Sequence, residues 1–280
     1  MPVTGNNNLK DIDFSQSEQY TLSIRLSTDG FSFSIYNPFD EGSCFYHKPF
    51  SVNPQRSLSA NIKTFLAEQD EFKHSYRQTN IVIDTNRFTA VPLDLYEDEQ
   101  TERIFYQNLP KQSNELILCN VLGKNNMAIL FSIDKLSHQL LTDQFPQARF
   151  YASVSPLAEY FYSKSKIGNN KKIFVNLHDS HMEIIAFQRG RLLFLNTFSC
   201  AQPADKIYYL LKVWEQLAYS QEHDELQLAG SKSTYQPILE TLKNYIRQVF
   251  IINPQAEYHL SGNTPIEEIP FDIQTLLTCE

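Results

Sequence analysis

One pattern of residues occurs twice in this 280-residue chain and limits what it can fold into. The first copy covers residues 22–35 and the second residues 173–187. Each is an apolar strand, a short polar turn and a second apolar strand. In the first copy Leu22, Ile24 and Leu26 alternate with Ser23, Arg25 and Ser27, and Phe31, Phe33 and Ile35 alternate with Ser32, Ser34 and Tyr36. Period-two alternation predicts a sheet with one buried face. Asp29-Gly30 between the runs is a hairpin-turn signal. Each copy continues into a third strand, over residues 44–48 in one and 192–198 in the other. A helix follows each time. Leu58, Ile62, Phe65 and Leu66 mark the first, and Ile207, Leu210, Leu211, Trp214, Leu217 and Ala218 the second, all at helical spacing. A meander-then-helix unit used twice predicts a two-lobed α/β protein with a cleft between the lobes.

The remaining segments fill in this plan. Ile81-Val82-Ile83 reads as a short buried strand, and Glu97-Asp98-Glu99 opens a helix. Residues 115–152 read as a module: a hairpin across Gly123-Lys124-Asn125, a helix carrying Leu136, Leu140 and Leu141, and a short strand. Ser155-Pro156 is expected to start a helix, with Ser as its cap. Residues 163–172 are polar and suit a linker. In the second half a strand over 225–228 leads through Gly230-Ser231 into a helix capped by Ser233 or Thr234. A strand over 249–252 and a short helix over 271–277 complete it. The expected organisation is a polar tail (1–18), a first lobe (19–152) with an inserted subdomain at about 115–152, and a second lobe (153–280).

Composition narrows the function. The chain is 42% hydrophobic and 20% charged, which suits a globular protein, and its 280 residues can bury two cores. Only 8 residues are Gly, although backbone that approaches phosphate usually needs it. The net charge of -8 argues against DNA as a partner and disfavours RNA, since both require Lys and Arg on phosphates. The start lacks the basic and apolar regions of a signal peptide, and no apolar run reaches the roughly 18 residues of a membrane helix. Cys44, Cys119, Cys200 and Cys279 are scattered without a CxxC pair, as expected of reduced thiols in a cytoplasmic protein.

The order of elements resembles the actin-like ATPase fold, a pair of ribonuclease-H-like lobes with mixed sheets flanked by helices. Residues 172–197 resemble that fold's second phosphate hairpin. Leu226-Gln227-Leu228-Ala229-Gly230-Ser231 and the helix after it resemble the motif under the adenosine. Residues 127–161 resemble the inserted subdomain of the actin-like type IV pilus assembly proteins. The cytoplasmic actin-like domain of the type II secretion platform is similar as well. The whole chain resembles a bacterial family of unknown function described as having an actin-like fold.

The resemblance implies where a nucleotide would sit, and the residues there depart from the pattern. Active members begin the first turn with Asp-x-Gly, the Asp organising metal and water. Here Asp29 directly precedes Gly30, either as a shifted relic or as a simple turn. Where the second turn would carry Asp-x-Gly-Gly, this chain has Asn176-Leu177-His178-Asp179, with Ser180 next. Asn lacks the carboxylate, and side chains stand where glycines would face phosphate. Of the Gly-Gly pair at the adenosine motif only Gly230 remains, followed by Ser231. Phosphoryl transfer needs these parts together, so no catalytic residue and no cofactor are expected.

His178, Asp179, His181 and Glu183 could hold zinc if they converged. Alternate strand residues face opposite ways, so the four need not converge, and no metal is expected. What remains is a non-catalytic scaffold or adaptor, a pseudo-ATPase, that binds a protein partner or a second copy of itself. Among its 20 Phe and 15 Tyr, candidates for exposure are Phe39, Phe45, Tyr46, Tyr96, Tyr106 and Tyr162. Two alternatives stay open. One is a nucleotide-dependent ATPase or kinase-like enzyme with divergent loops. The other is an RNA-associated protein using Lys164, Lys166, Lys171, Lys172, Arg189 and Arg191 as a basic edge.

Overall fold

Residues 12–39, 45–254 and 269–277 are described by the structure, a computed structural model. Two five-stranded sheets dominate it, and they have the same topology. In the first, β1 (Thr21–Leu26), β2 (Phe31–Tyr36) and β3 (Tyr46–Phe50) form an antiparallel meander, while β4 (Gln78–Ile83) and β8 (Arg149–Ala152) add in parallel, in the order β3-β2-β1-β4-β8. In the second, β9 (Lys172–Leu177), β10 (His181–Gln188) and β11 (Arg191–Ser199) form the meander, and β12 (Glu225–Ala229) and β13 (Gln248–Ile251) add in parallel, in the order β11-β10-β9-β12-β13. Helix α1 (Leu58–Glu68) leaves the first meander as α5 (Pro203–Gln216) leaves the second. The repeat read in the sequence is therefore a repeat of whole lobes.

The first lobe carries an addition. A separate antiparallel sheet, β5-β7-β6, joins β5 (Phe88–Pro92), β6 (Glu115–Leu122) and β7 (Met127–Asp134). Its small core is Val91, Leu130 and Phe105, the last from α2 (Thr101–Asn108). This sheet begins at Phe88, whereas the sequence suggests a module from about 115. Arg149–Ala152 pairs with β4 and belongs to the main sheet. After α3 (Lys135–Gln144) and β8, helix α4 (Val154–Ser165) passes to the second lobe. In that lobe α6 (Lys232–Lys243) joins β12 to β13 directly, and α7 (Phe271–Leu276) comes last.

Helices α4 and α7 pack between the sheets. Phe161 of α4 stacks on Phe174 of β9 at 4.5 Å and on Phe271 of α7 at 5.9 Å. One core thus runs from Leu22 and Ile24 through α4 to Phe174, Ile185 and Phe187, and a second lies under α5 and α6. This layering corrects the expectation of one buried face. Every residue of β1 and β2 is buried, Ser23, Arg25, Ser32 and Ser34 included. The central strands of a sheet covered on both sides lose their solvent face.

Several local expectations shift. Residues 14–19 form a 3₁₀ turn, with Phe14 stacked on His74 at 4.7 Å, inside the stretch expected as a loose tail. The third strand starts at Tyr46, and residue 44 lies outside the described residues, as do Cys279 and His259. Helix α4 begins at Val154 after Ser153, because buried Ser155 is engaged through Oγ with Asn120 Oδ1 at 2.8 Å. Helix α6 starts after Ser231, and Thr234 instead donates to the Ser231 carbonyl at 2.7 Å. Of the aromatics proposed as exposed, Phe39 is exposed, Tyr96, Tyr106 and Tyr162 are half-buried, and Phe45 and Tyr46 are core residues. Cys119 and Cys200 are free thiols.

Candidate functional site

The two lobes meet at their first hairpin turns. In each hairpin the residues flanking the turn hydrogen-bond to each other: Ser27 with Gly30, and His178 with His181. The turn residues are therefore Thr28-Asp29 and Asp179-Ser180, with Gly30 opening the return strand. The third position of one turn touches the third of the other, since Ser180 Oγ donates to Asp29 Oδ2 at 2.6 Å. Three backbone donors of the first turn, those of Ser27, Asp29 and Gly30, are already engaged. Ser27 and Gly30 exchange bonds at 3.2 and 3.4 Å, and the Asp29 N–H reaches Ser27 Oγ at 3.2 Å. Lys206 of α5 donates its ammonium to the carbonyls of His178 and Asp179, pinning the second turn.

Beneath this contact lies a buried ionic cluster that sequence reasoning did not assemble. Arg25 of β1 donates at 2.7 Å to Asp84, just past β4, and at 2.7 Å to Asp272 of α7. Asp84 Oδ2 also accepts from Ser27 Oγ at 2.8 Å. Its other oxygen lies 3.3 Å from His181 Nε2, across the lobe boundary. On the second lobe, Glu183 sits two residues along β10 from His181 and is fully buried. Its Oε2 lies 3.0 Å from His178 Nε2 and accepts from Asn176 Nδ2 at 3.1 Å, and its Oε1 lies 3.6 Å from His181 Nε2. The two imidazoles stack at 4.2 Å, 12° from parallel.

The environment sets the charges. Burial opposes ionisation of Glu183, but His178 and His181 outweigh it and hold the carboxyl down to about 2. Burial likewise opposes the His181 imidazolium, and Asp84 and Glu183 outweigh it, raising the group to about 10. Asp84 is held well below the usual carboxylate range against burial, chiefly by Arg25. The cluster is dense in acidic groups, and one guanidinium serves two of them.

The candidate residues thus separate into groups. Asp29, Asn176, His178 and Ser180 join the cluster or its rim. Of His178, Asp179, His181 and Glu183, whose convergence the sequence leaves open, three come together. His181 and Glu183 share a face of β10, and His178 lies just before the turn, where strand alternation does not apply. Only Asp179 stays out, lining the neighbouring cleft. Asp84 and Asp272 were missed. The sole signal for Asp84 was an acid directly after the buried run Ile81-Val82-Ile83.

Gly230 and Ser231 stand apart, in a cleft of about 550 Å³ that Asp29, Asn176, His178 and Tyr235 also line. Gly230 has φ +130°, and a Cβ there would sit 2.7 Å from the Leu177 carbonyl. A second cleft of about 560 Å³ lies on the other side of the cluster, bordered by Thr28, Asp84, Ser180 and His181. The proposed basic edge is broken up, since Lys172 is buried against Glu225 at 2.7 Å.

Duplicated lobes of this topology, meeting at their first hairpins, define the actin-like ATPase fold. The chain belongs to the family of proteins of unknown function termed DUF3822, whose model matches residues 9–249. It is similar to a crystal structure from Bacteroides thetaiotaomicron VPI-5482, described as a protein with an actin-like ATPase fold and unknown function. The two are 47% identical, with 96% of this chain and 99% of that one covered and a TM-score of 0.85. It is also similar in fold to a chain of the PilM-PilN type IV pilus biogenesis complex, at 9% identity, TM-score 0.60, and 92% and 96% coverage. No curated protein matches the chain. Among the described residues no helix is long and apolar enough to cross a membrane.

Proposed function

We propose that this protein is a non-catalytic scaffold or adaptor: an actin-like body that binds a protein partner, or a second copy of itself, and does not hydrolyse ATP. The observation that carries the reading is the contact between the hairpin turns. In the ATPase pattern the polyphosphate lies between them. Here Ser180 bonds directly to Asp29, and His181 lies against Asp84, in that space. The amides of Ser27, Asp29 and Gly30 are spent within the first turn. Asp29, Asp84 and Glu183 place negative charge where a triphosphate would add more. The fold-sharing pilus protein occurs in a two-protein complex, which supports a partner-binding role.

Thermal unfolding with and without millimolar Mg-ATP tests the first half. No shift in midpoint is expected, and no phosphate release. A stabilisation that disappears in Asp29→Ala would reverse the reading in favour of a nucleotide-dependent enzyme. Light scattering across a concentration series tests self-association, and salt-insensitive failure to bind RNA is expected in the same buffers.

A further inference from the structure

We propose that Asp84, His178, His181 and Glu183 form a binding site for one divalent transition-metal ion, zinc by preference, that bolts the two lobes together. The inference is independent of the scaffold reading, because an interlobe metal is compatible with either fate of the nucleotide cleft.

Geometry comes first. One ligand atom each from Asp84, His178 and His181 lie within 4.8 Å of one another. A tetrahedral ion at about 2.0–2.1 Å from its ligands sets them about 3.3–3.4 Å apart. The separations found are 3.3 Å for His181 Nε2 to Asp84 Oδ1, 3.6 Å for His181 Nε2 to Glu183 Oε1, and 3.0 Å for His178 Nε2 to Glu183 Oε2. These three separations lie on either side of the tetrahedral edge, the two to Glu183 being to its different oxygens.

Hydrogen bonding is the second, independent observation. His181 Nε2 and Glu183 Oε1 are buried and make no hydrogen bond of good geometry, although Nε2 lies 3.3 Å from Asp84 Oδ1 and 3.6 Å from Glu183 Oε1. Groups of this kind are costly to leave unpaired. A related conflict involves Asn176 Nδ2, His178 Nε2 and Glu183 Oε2, which form a triangle with sides of 2.9, 3.1 and 3.0 Å. No placement of protons satisfies all three sides. If the amide donates to both neighbours, two acceptors face each other. If His178 carries the proton, two donors do. Turning the amide puts its oxygen against the carboxylate. A cation that accepts the lone pairs of His178 and Glu183 removes the conflict.

Charge points the same way. The carboxyl groups of Asp84, Glu183 and Asp272 have little or no exposure, and Arg25 pairs with two of them, Asp84 and Asp272. The two imidazoles stack at 4.2 Å beside these carboxyl groups, and one divalent ion would bring the positive charge the group lacks. The surroundings also match a built site. His181 Nδ1 faces Ser180 Oγ at 3.2 Å and Asp29 Oδ2 at 3.7 Å, which turns Nε2 inward, and Arg25 and Ser27 fix Asp84. Two imidazoles with two carboxylates suit zinc and exclude a preference for magnesium. With four protein ligands and little exposure, the ion would be structural.

Zinc titration of tag-free, EDTA-treated protein, followed by calorimetry and thermal unfolding, is the test. One zinc per chain and a raised unfolding midpoint are expected, with no such rise from magnesium. Cobalt in place of zinc should give the strong visible bands of a tetrahedral ion. Glu183→Gln, which keeps the shape, and His178→Gln, the most exposed of the four positions, should each abolish binding. Asp29→Asn should weaken it roughly tenfold by loosening His181. His223→Gln, on the surface and remote, is the control and should bind as the parent does. No zinc uptake, or uptake that survives both His178→Gln and Glu183→Gln, overturns the proposal. If Glu183→Gln fails to fold, His178→Gln decides alone.

Discussion

The two hairpins that face each other across the cleft occupy the same place in the same topology, yet they are filled differently. Aligned from their turns, Arg25 of β1 corresponds to Asn176 of β9, and Ser32 of β2 to Glu183 of β10. The strand register adds Ile83 opposite Gly230, and Asp84 opposite Ser231. The first lobe therefore contributes a cation and an acid to the boundary. The second contributes an amide, a buried acid and two imidazoles. Arg25 pairs with Asp84 in its own lobe and reaches Asp272 of the other, while His181 reaches back to Asp84. The two lobes share one frame, and the different residues at corresponding positions make the halves complementary.

If that complementarity holds the boundary, Arg25 is its most costly residue to lose. Arg25→Met should remove about 3–5 kcal/mol of stability, because Asp84 and Asp272 would be left buried without their partner. Asn176→Ala, at the corresponding position, should cost about 1–3 kcal/mol, the penalty for a lost hydrogen bond to a buried group. Urea unfolding of both variants checks the order. Equal losses would break the comparison.

The lobes also differ behind the turns. Ser34 and His47 pair across β2 and β3 at 2.9 Å, where the second lobe carries Ile185 and Leu195. Burial, and then Arg25, pull His47 from its ordinary 6.5 down to about 4. Because the folded value is depressed, the unfolded chain binds the proton first, and stability is lost as pH falls from 6.5 towards 4. The displacement corresponds to about 3 kcal/mol. The difference in pH slope between the parent and His47→Gln, read by unfolding at a series of pH values, isolates it. A smaller contrast concerns Gly230. Its counterpart Ile83 carries a side chain, whereas a Cβ at Gly230 would meet Leu177 O at 2.7 Å and Thr234 Oγ1 at 2.9 Å, at φ +130°. Gly230→Ala should cost about 1–3 kcal/mol in the same assay.

The doubled frame was legible because its signals are local. Period-two alternation, an Asp-Gly turn and the 3.6-residue stripe from Ile207 to Trp214 each lie within a few residues of chain. The cluster was not legible, because its members come from β1, the end of β4, the second hairpin and α7, and only tertiary packing brings them together. Arg25 illustrates why. In a strand reading Leu-Ser-Ile-Arg-Leu-Ser it looks like a solvent-facing residue. Nothing local announces that α7, some 247 residues later, covers that face with Asp272. Alternation also misled at His178, which precedes a turn and escapes the strand rule.

The mildest test concerns the one direct bond between the turns. Ser180→Ala removes the 2.6 Å hydrogen bond to Asp29 and the 3.2 Å contact with His181 Nδ1. Asp29 is 40% exposed at its side chain, so water can replace the lost donor, and the cost should be about 0.5–1.5 kcal/mol. The informative reading is local. If the turns act as a latch, amide exchange at residues 27–30 and 178–181 should accelerate together in Ser180→Ala, while exchange in β1 and β9 stays unchanged. Acceleration confined to the second turn would mean that each hairpin holds itself and that the latch belongs to the cluster beneath, to Arg25, Asp84 and His181.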